Sequence, residues 1–155
     1  MKNYYDTNSH GTIMTSIIKG DSNNLIGIAP DSKLISINVL DSDGKIEHES
    51  IKKALRIAID YNVDIINMSI GSYKSNSDII DLVNEAISKN IIVVSSSGDY
   101  GDVDLMFLAS VDGVISVGAI DENGKVLSND KIIEYLHLIK ENSNSYLDIF
   151  KLIGS

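Results

Sequence analysis

The chain has 155 residues, of which 43% are hydrophobic, and a formal net charge of −9. That apolar content, rich in Ile and Val, excludes a disordered chain, and the length suits one domain with its own core. The acids are spread along the sequence and Lys and Arg are not clustered, which excludes binding to nucleic acid or to an anionic membrane surface.

There is no Cys, so disulfide, thiol and Cys-zinc chemistry are absent. No apolar run approaches the roughly 20 residues of a membrane span. Met1–His10 is polar and lacks the features of a secretory signal, so the expected location is the cytoplasm.

In chain order, Lys33–Val39 is the first apolar run read as a strand. Asp41–Gly44 is a turn former. It is a poor calcium loop, because its Gly comes early and Lys52 stands where a bidentate Glu belongs. Ile51, Ala54, Leu55, Ala58 and Ile59 then form one helical stripe. Val63–Ile70 is the second strand, and Ile79, Leu82, Val83, Ala86 and Ile87 repeat the helical spacing. Ile91–Ser95 is the third strand. The acids Asp99, Asp102 and Asp104 crowd the loop beyond it, as a solvated loop rather than a metal site. Val114–Ala119 is the fourth strand, followed by a second turn former, Asp121–Gly124.

Runs that are apolar nearly throughout suit parallel strands covered on both faces. Strand–helix alternation with right-handed crossovers implies an α/β fold, a three-layer sandwich around a mostly parallel sheet of four strands. From about residue 130 the pattern becomes two helical stripes, Ile132, Leu136 and Ile139, then Tyr146, Ile149, Phe150 and Ile153. They are expected to cover the sheet or to face a partner. The whole, 1–155, reads as a single partial domain with a divergent helical tail.

Four stretches, in order, resemble the subtilisin-like serine protease (subtilase) family. Asp6-Thr-Asn-Ser-His10-Gly-Thr12 resembles its H-G-T histidine motif opening a helix. Ile26-Gly-Ile-Ala-Pro30 with Lys33–Leu40 is similar to the G-V-A-P turn and the strand behind it. Val63–Gly71 is close to D-V-I-N-M-S-L-G. Ile91–Gly101 with Gly113–Ala119 is similar to the strand into A-A-G-N and the later V-I-x-V-G-A.

The resemblance implies that His10 holds the general-base position of a serine endopeptidase. Ser69, Ile70 and Gly71 match the extended segment that lines the first specificity pocket, where a peptide backbone could pair, although the plainer and preferred reading is that they simply end the strand. A serine protease needs in addition a nucleophilic Ser, an Asp that orients the His, and donors for the oxyanion. The family's Asp lies on a strand well before the histidine helix, and Asp6 is too near His10 to repeat that geometry. The G-T-S-M-A serine segment has no counterpart after Ala119; Ser128, Ser143 and Ser145 lack its context.

The oxyanion position carries Asp99 where the family has Asn. An Asn side chain donates a hydrogen bond, whereas ionised Asp only accepts. Loss of that donor in a subtilisin lowers turnover by about 10²–10³. A carboxylate at about 4 Å adds repulsion on the order of 4 kcal/mol at an effective dielectric near 20. Further departures are Ile13 for the family's second His, Thr15-Ser16 for A-G, and Phe107-Leu-Ala109 without its proline.

The sequence reading is therefore a catalytically silent remnant or pseudoprotease that uses no cofactor and no metal. Its rivals are a peptide-binding module and one half of a split protease completed by another chain. The family's aspartate strand lies between those matching Lys33–Val39 and Val63–Ile70. Without it two apolar strands face an empty slot, so the chain is expected to close up, self-associate or unfold easily.

Overall fold

The computed structural model describes residues 6, 9–22, 25–41, 43–72, 74–98 and 106–126. In chain order the elements are α1 (His10–Lys19), β1 (Asp21–Ser22), β2 (Leu25–Ile26), α2 (His48–Asp60), β3 (Ile65–Met68), α3 (Ser77–Ser88), β4 (Ile92–Ser96) and β5 (Ile115–Val117). The chain divides into two compact units, Met1–Ala54 and Leu55–Ser155.

The second unit is an α/β layer. β3, β4 and β5 form a parallel sheet in that order, with Ile66 opposite Val93, Met68 opposite Ser95 and Val94 opposite Ile115. Alternation decides which side is buried. Ile66 and Met68 on β3, with Val93 and Ser95 on β4, point into the core. α3 packs on β4 and buries Ile79, Val83 and Ala86 completely, while Leu55, Ala58 and Ile59 of α2 are also buried. On the other face, Ile65, Ile92 and Ile115 remain 58%, 48% and 53% exposed.

Local chemistry sets the helix ends. The Asn76 side chain accepts a hydrogen bond from Ile79 N at 3.1 Å and caps α3. α2 and α3 both run into an Asn with left-handed backbone, Asn62 (φ 48°) and Asn90 (φ 63°). The following amides turn back, Val63 N to Ala58 O at 3.3 Å and Ile91 N to Ala86 O at 3.1 Å. This closure reverses the chain directly into β3 and β4.

Arg56 of α2 holds Glu85 of α3 through two parallel hydrogen bonds of 2.9 Å. Those bonds hold the Glu85 carboxyl below the ordinary carboxylate range. The pair is solvent-exposed, so it orients the helices more than it stabilises them.

The first unit contains α1 and the short antiparallel β1–β2 hairpin, which the sequence pattern did not predict. Lys33–Val39 is a correction. It forms no strand, and among the described residues it has no ladder partner. An apolar run registers a demand for burial, but a strand also needs a neighbour. Lys33–Val39 has none here, so Leu34 and Ile35 stay exposed. The described sheet thus has three parallel strands rather than four. The two helical stripes expected from residue 130 lie outside the described residues.

The turns Asp41–Gly44 and Asp121–Gly124, both read from the sequence as turn formers, fold alike. In each, the Asp Oδ1 accepts from the amides two and four residues on, at 2.9 and 2.8 Å for Asp41 and 2.9 Å twice for Asp121. Gly44 and Gly124 take positive φ of 75° and 78°, and antiparallel bridges, Leu40 to Ile46 and Ile120 to Val126, close both loops.

Ser95 is 1% exposed, and its Oγ has no hydrogen-bond partner among the described residues. An unsatisfied buried hydroxyl costs stability. Ser95→Ala should therefore raise the urea midpoint, by about 1 kcal/mol of stability. A lower midpoint would show that the hydroxyl is engaged.

Candidate functional site

His10 is the first residue of α1, so the geometry of that helix fixes where its imidazole sits. The start is unusual. Ser9, at the N-cap, has left-handed backbone (φ 68°) and makes no side-chain cap. Asp6 takes over that task. Its Oδ2 accepts from Thr12 N at 2.8 Å and from Thr12 Oγ1 at 2.6 Å, and its Oδ1 accepts from Ser9 N at 2.9 Å. The carboxylate thus satisfies a free amide of the first turn and sits at the positive end of the helix dipole.

The other end of α1 is held by the Gly27–Pro30 turn. Ile28 N donates to Ile17 O at 3.1 Å, Ala29 N to Ile18 O at 2.8 Å and Gly27 N to Gly20 O at 2.7 Å, while Lys19 Nζ donates to Pro30 O. The last carbonyls of the helix, which have no partners within it, are therefore capped by a neighbouring loop. Contact is so close that a Cβ on Gly27 would lie 2.6 Å from the main chain of both Ile18 and Gly20. This explains the glycine of the G-x-A-P turn physically.

In the second unit Ser69, Ile70 and Gly71 follow directly on β3 and are half-buried. The Ser69 hydroxyl accepts from Asn67 Nδ2 at 3.0 Å. No main-chain hydrogen bond of Ile70 or Gly71 forms among the described residues, so this segment offers groups for pairing. Met106 was missed by the sequence reading. Its side chain lies over Gly71 and Gly98, and its N donates to Ser97 O at 3.1 Å.

His10 belongs to the first unit and Ser69–Gly71 to the second. Asp99, Asp102 and Asp104 lie outside the described residues. Among the described residues no group of three or more His, Asp or Glu is placed to hold a metal, and no helix is long and apolar enough to cross a membrane. The first unit thus offers an imidazole at a capped helix start, and the second offers Ile70 and Gly71 with no main-chain hydrogen bond among the described residues.

A family model described as the subtilase family matches residues 1–146. Across 124 residues, 79% of the chain, it is 35% identical to a thermostable alkaline protease of Halalkalibacterium halodurans, covering 34% of that protein. It is 33% identical to an intracellular serine protease of Paenibacillus polymyxa, over 81% of the chain and 41% of that relative. To subtilisin BL of Lederbergia lenta it is 32% identical, over 76% of the chain and 45% of the relative. The chain thus spans less than half the length of each of these relatives.

Two substitutions test how α1 is held. Asp6→Ala should cost about 0.5–2 kcal/mol, the usual loss for a helix cap. Gly27→Ala should cost about 1–3 kcal/mol through overpacking against main chain. Both are read from chemical denaturation, and an unchanged midpoint in either variant would contradict the corresponding contact.

Proposed function

Because the chain belongs to the subtilase family, we propose that these 155 residues are a peptide-contacting part of a serine peptidase fold that does not itself hydrolyse peptide bonds. The observation that carries the second half is the oxyanion position, where Asp99 stands in place of the family's Asn. Asp6 accepts from Ser9 N, Thr12 N and Thr12 Oγ1 at the start of α1. His10 is in the general-base position of the family motif, but an imidazole activates nothing without a nucleophile to deprotonate. No serine segment of the family's type occurs in the 155 residues, and Asp99 replaces the donor of the oxyanion site.

Residual catalysis after loss of a triad normally comes from the oxyanion hole and substrate binding, at about 10³–10⁴ over water. Asp99 damages the first of these. What remains is recognition. The main chain of Ile70 and Gly71, which makes no main-chain hydrogen bond among the described residues, supports pairing with an extended peptide, in the manner of strand addition.

A second reading, completion by another polypeptide that supplies the serine and aspartate segments, is favoured by the uncovered Ile65, Ile92 and Ile115 face of the sheet. The two readings separate in one experiment. The purified chain treated with a fluorophosphonate probe should show no labelled serine and no turnover of a peptide library. Asp99→Asn should leave both at background, because one restored donor cannot act without a nucleophile. Labelling abolished by His10→Ala would overturn the proposal. Labelling that arises only on adding a second chain would establish the split enzyme instead.

A further inference from the structure

Lys33–Val39 has the composition of a strand but forms none, and no main-chain N–H or C=O of Lys33–Asn38 makes a hydrogen bond among the described residues. Leu34 and Ile35 are 38% and 49% exposed. An apolar run that leaves its amides and carbonyls unpaired is a template for another strand. This one has β-branched residues, a single charge, and neither Pro nor Gly, the composition that pairs most readily.

The C-terminal end of the run decides which edge is open. Asp41 N donates to Lys45 O at 3.0 Å and Leu40 is bridged to Ile46, so the main chain of Asp41 faces its own turn. Along an extended chain, successive amides point to opposite edges. Positions 34, 36, 38 and 40 therefore present theirs on the other side. Among the described residues that edge is engaged only at Leu40, whose N donates to the Asn38 side chain at 3.0 Å.

What fits the edge is a second copy of the same segment. Run antiparallel about Ile37, Lys33-Leu-Ile-Ser-Ile-Asn-Val-Leu-Asp41 is complementary to itself. Lys33 falls opposite Asp41 of the second copy, Leu34 opposite Leu40, Ile35 opposite Val39, Ser36 opposite Asn38, and Ile37 opposite Ile37. Charge meets opposite charge, apolar meets apolar and polar meets polar, and each such cross-strand pair stabilises an antiparallel ladder. The match belongs to this register. Centring the pair on Ser36 sets Asp31 opposite Asp41 and Leu34 opposite Asn38, and centring it on Asn38 sets Ile35 opposite Asp41. Asp41 engages Oδ1 with Asp43 N and Lys45 N, which leaves Oδ2 for the incoming Lys33.

We infer that Lys33–Asp41 is the surface through which two copies of this chain associate, as antiparallel strands centred on Ile37. The same patch serves both copies, so the contact closes at a dimer. A two-stranded ribbon is marginal by itself, so the dimer dissociates on dilution.

Sedimentation velocity of the full chain across a concentration series should show that monomer–dimer equilibrium. Lys33→Glu sets like charges opposite each other at both ends and should weaken the dimer about tenfold. Register is read from introduced cysteines, since the chain has none. With the even positions hydrogen-bonded, Ile37 meets its counterpart in a non-hydrogen-bonded pair, the closer kind, which suits a disulfide. Under mild oxidant Ile37→Cys should cross-link to itself and Ile35→Cys should not, whereas Ile35→Cys mixed with Val39→Cys should cross-link one to the other. A monomer at every concentration would overturn the proposal. So would a dimer indifferent to Lys33→Glu, because the contact would then lie elsewhere, such as on the exposed Ile65, Ile92 and Ile115 face. Equal self-cross-linking at positions 35 and 37 would overturn it as well, because the matched register would be absent. Lys33 is exposed, so its substitution decides the question even if a cysteine variant loses its cooperative thermal transition.

Discussion

The parallel register of β3 against β4 is the constraint from which the rest of the second unit follows. Because side chains alternate along each strand, pairing Ile66 with Val93 and Met68 with Ser95 commits all four to the core. A slip of either strand by one residue would turn its own buried pair to the opposite face and bring Ile65 or Ile92 inward. The helix closures at Asn62 and Asn90 turn the chain directly into β3 and β4. The same register brings the two strands to their ends together. For that reason Gly71 and Gly98 share one side chain.

The first unit obeys a different logic. None of the α1 residues is buried, so the helix is held by its ends rather than by an apolar face. Asp6 satisfies its N-terminal amides and the Gly27–Ala29 turn satisfies its C-terminal carbonyls. In this arrangement the residues of the histidine motif serve the helix first. Asp6, Ser9 and Thr12 form one hydrogen-bonded group that fixes the first turn, and His10 rides on it.

Much of this was legible in the sequence. The stripes at Ile51–Ile59 and Ile79–Ile87 became α2 and α3, Val63–Ile70 and Val114–Ala119 each contain a strand of the parallel sheet, and Ile91–Ser95 covers all of β4 but its last residue. Local periodicity fixes such elements because each records burial on one side. Lys33–Val39 failed for the complementary reason: its composition is that of a strand, but no composition specifies a neighbour. Met106 was invisible because its contacts depend on the register of two strands 27 residues apart and on a loop that returns to both. Two signals pointed there: the glycines at equal distance from a paired position, and the missing proline after Phe107. Neither is informative until the register is known.

The account turns on a thioether seated on two glycines at the ends of paired strands. The most direct measurement is a nuclear Overhauser experiment on the unliganded chain with its methionine methyl groups labelled. The Met106 ε-methyl should show cross-peaks to the α-protons of both Gly71 and Gly98, with slow rotamer averaging. A sharp, averaged methyl signal without either cross-peak would contradict the account, because the side chain would then rest on neither glycine.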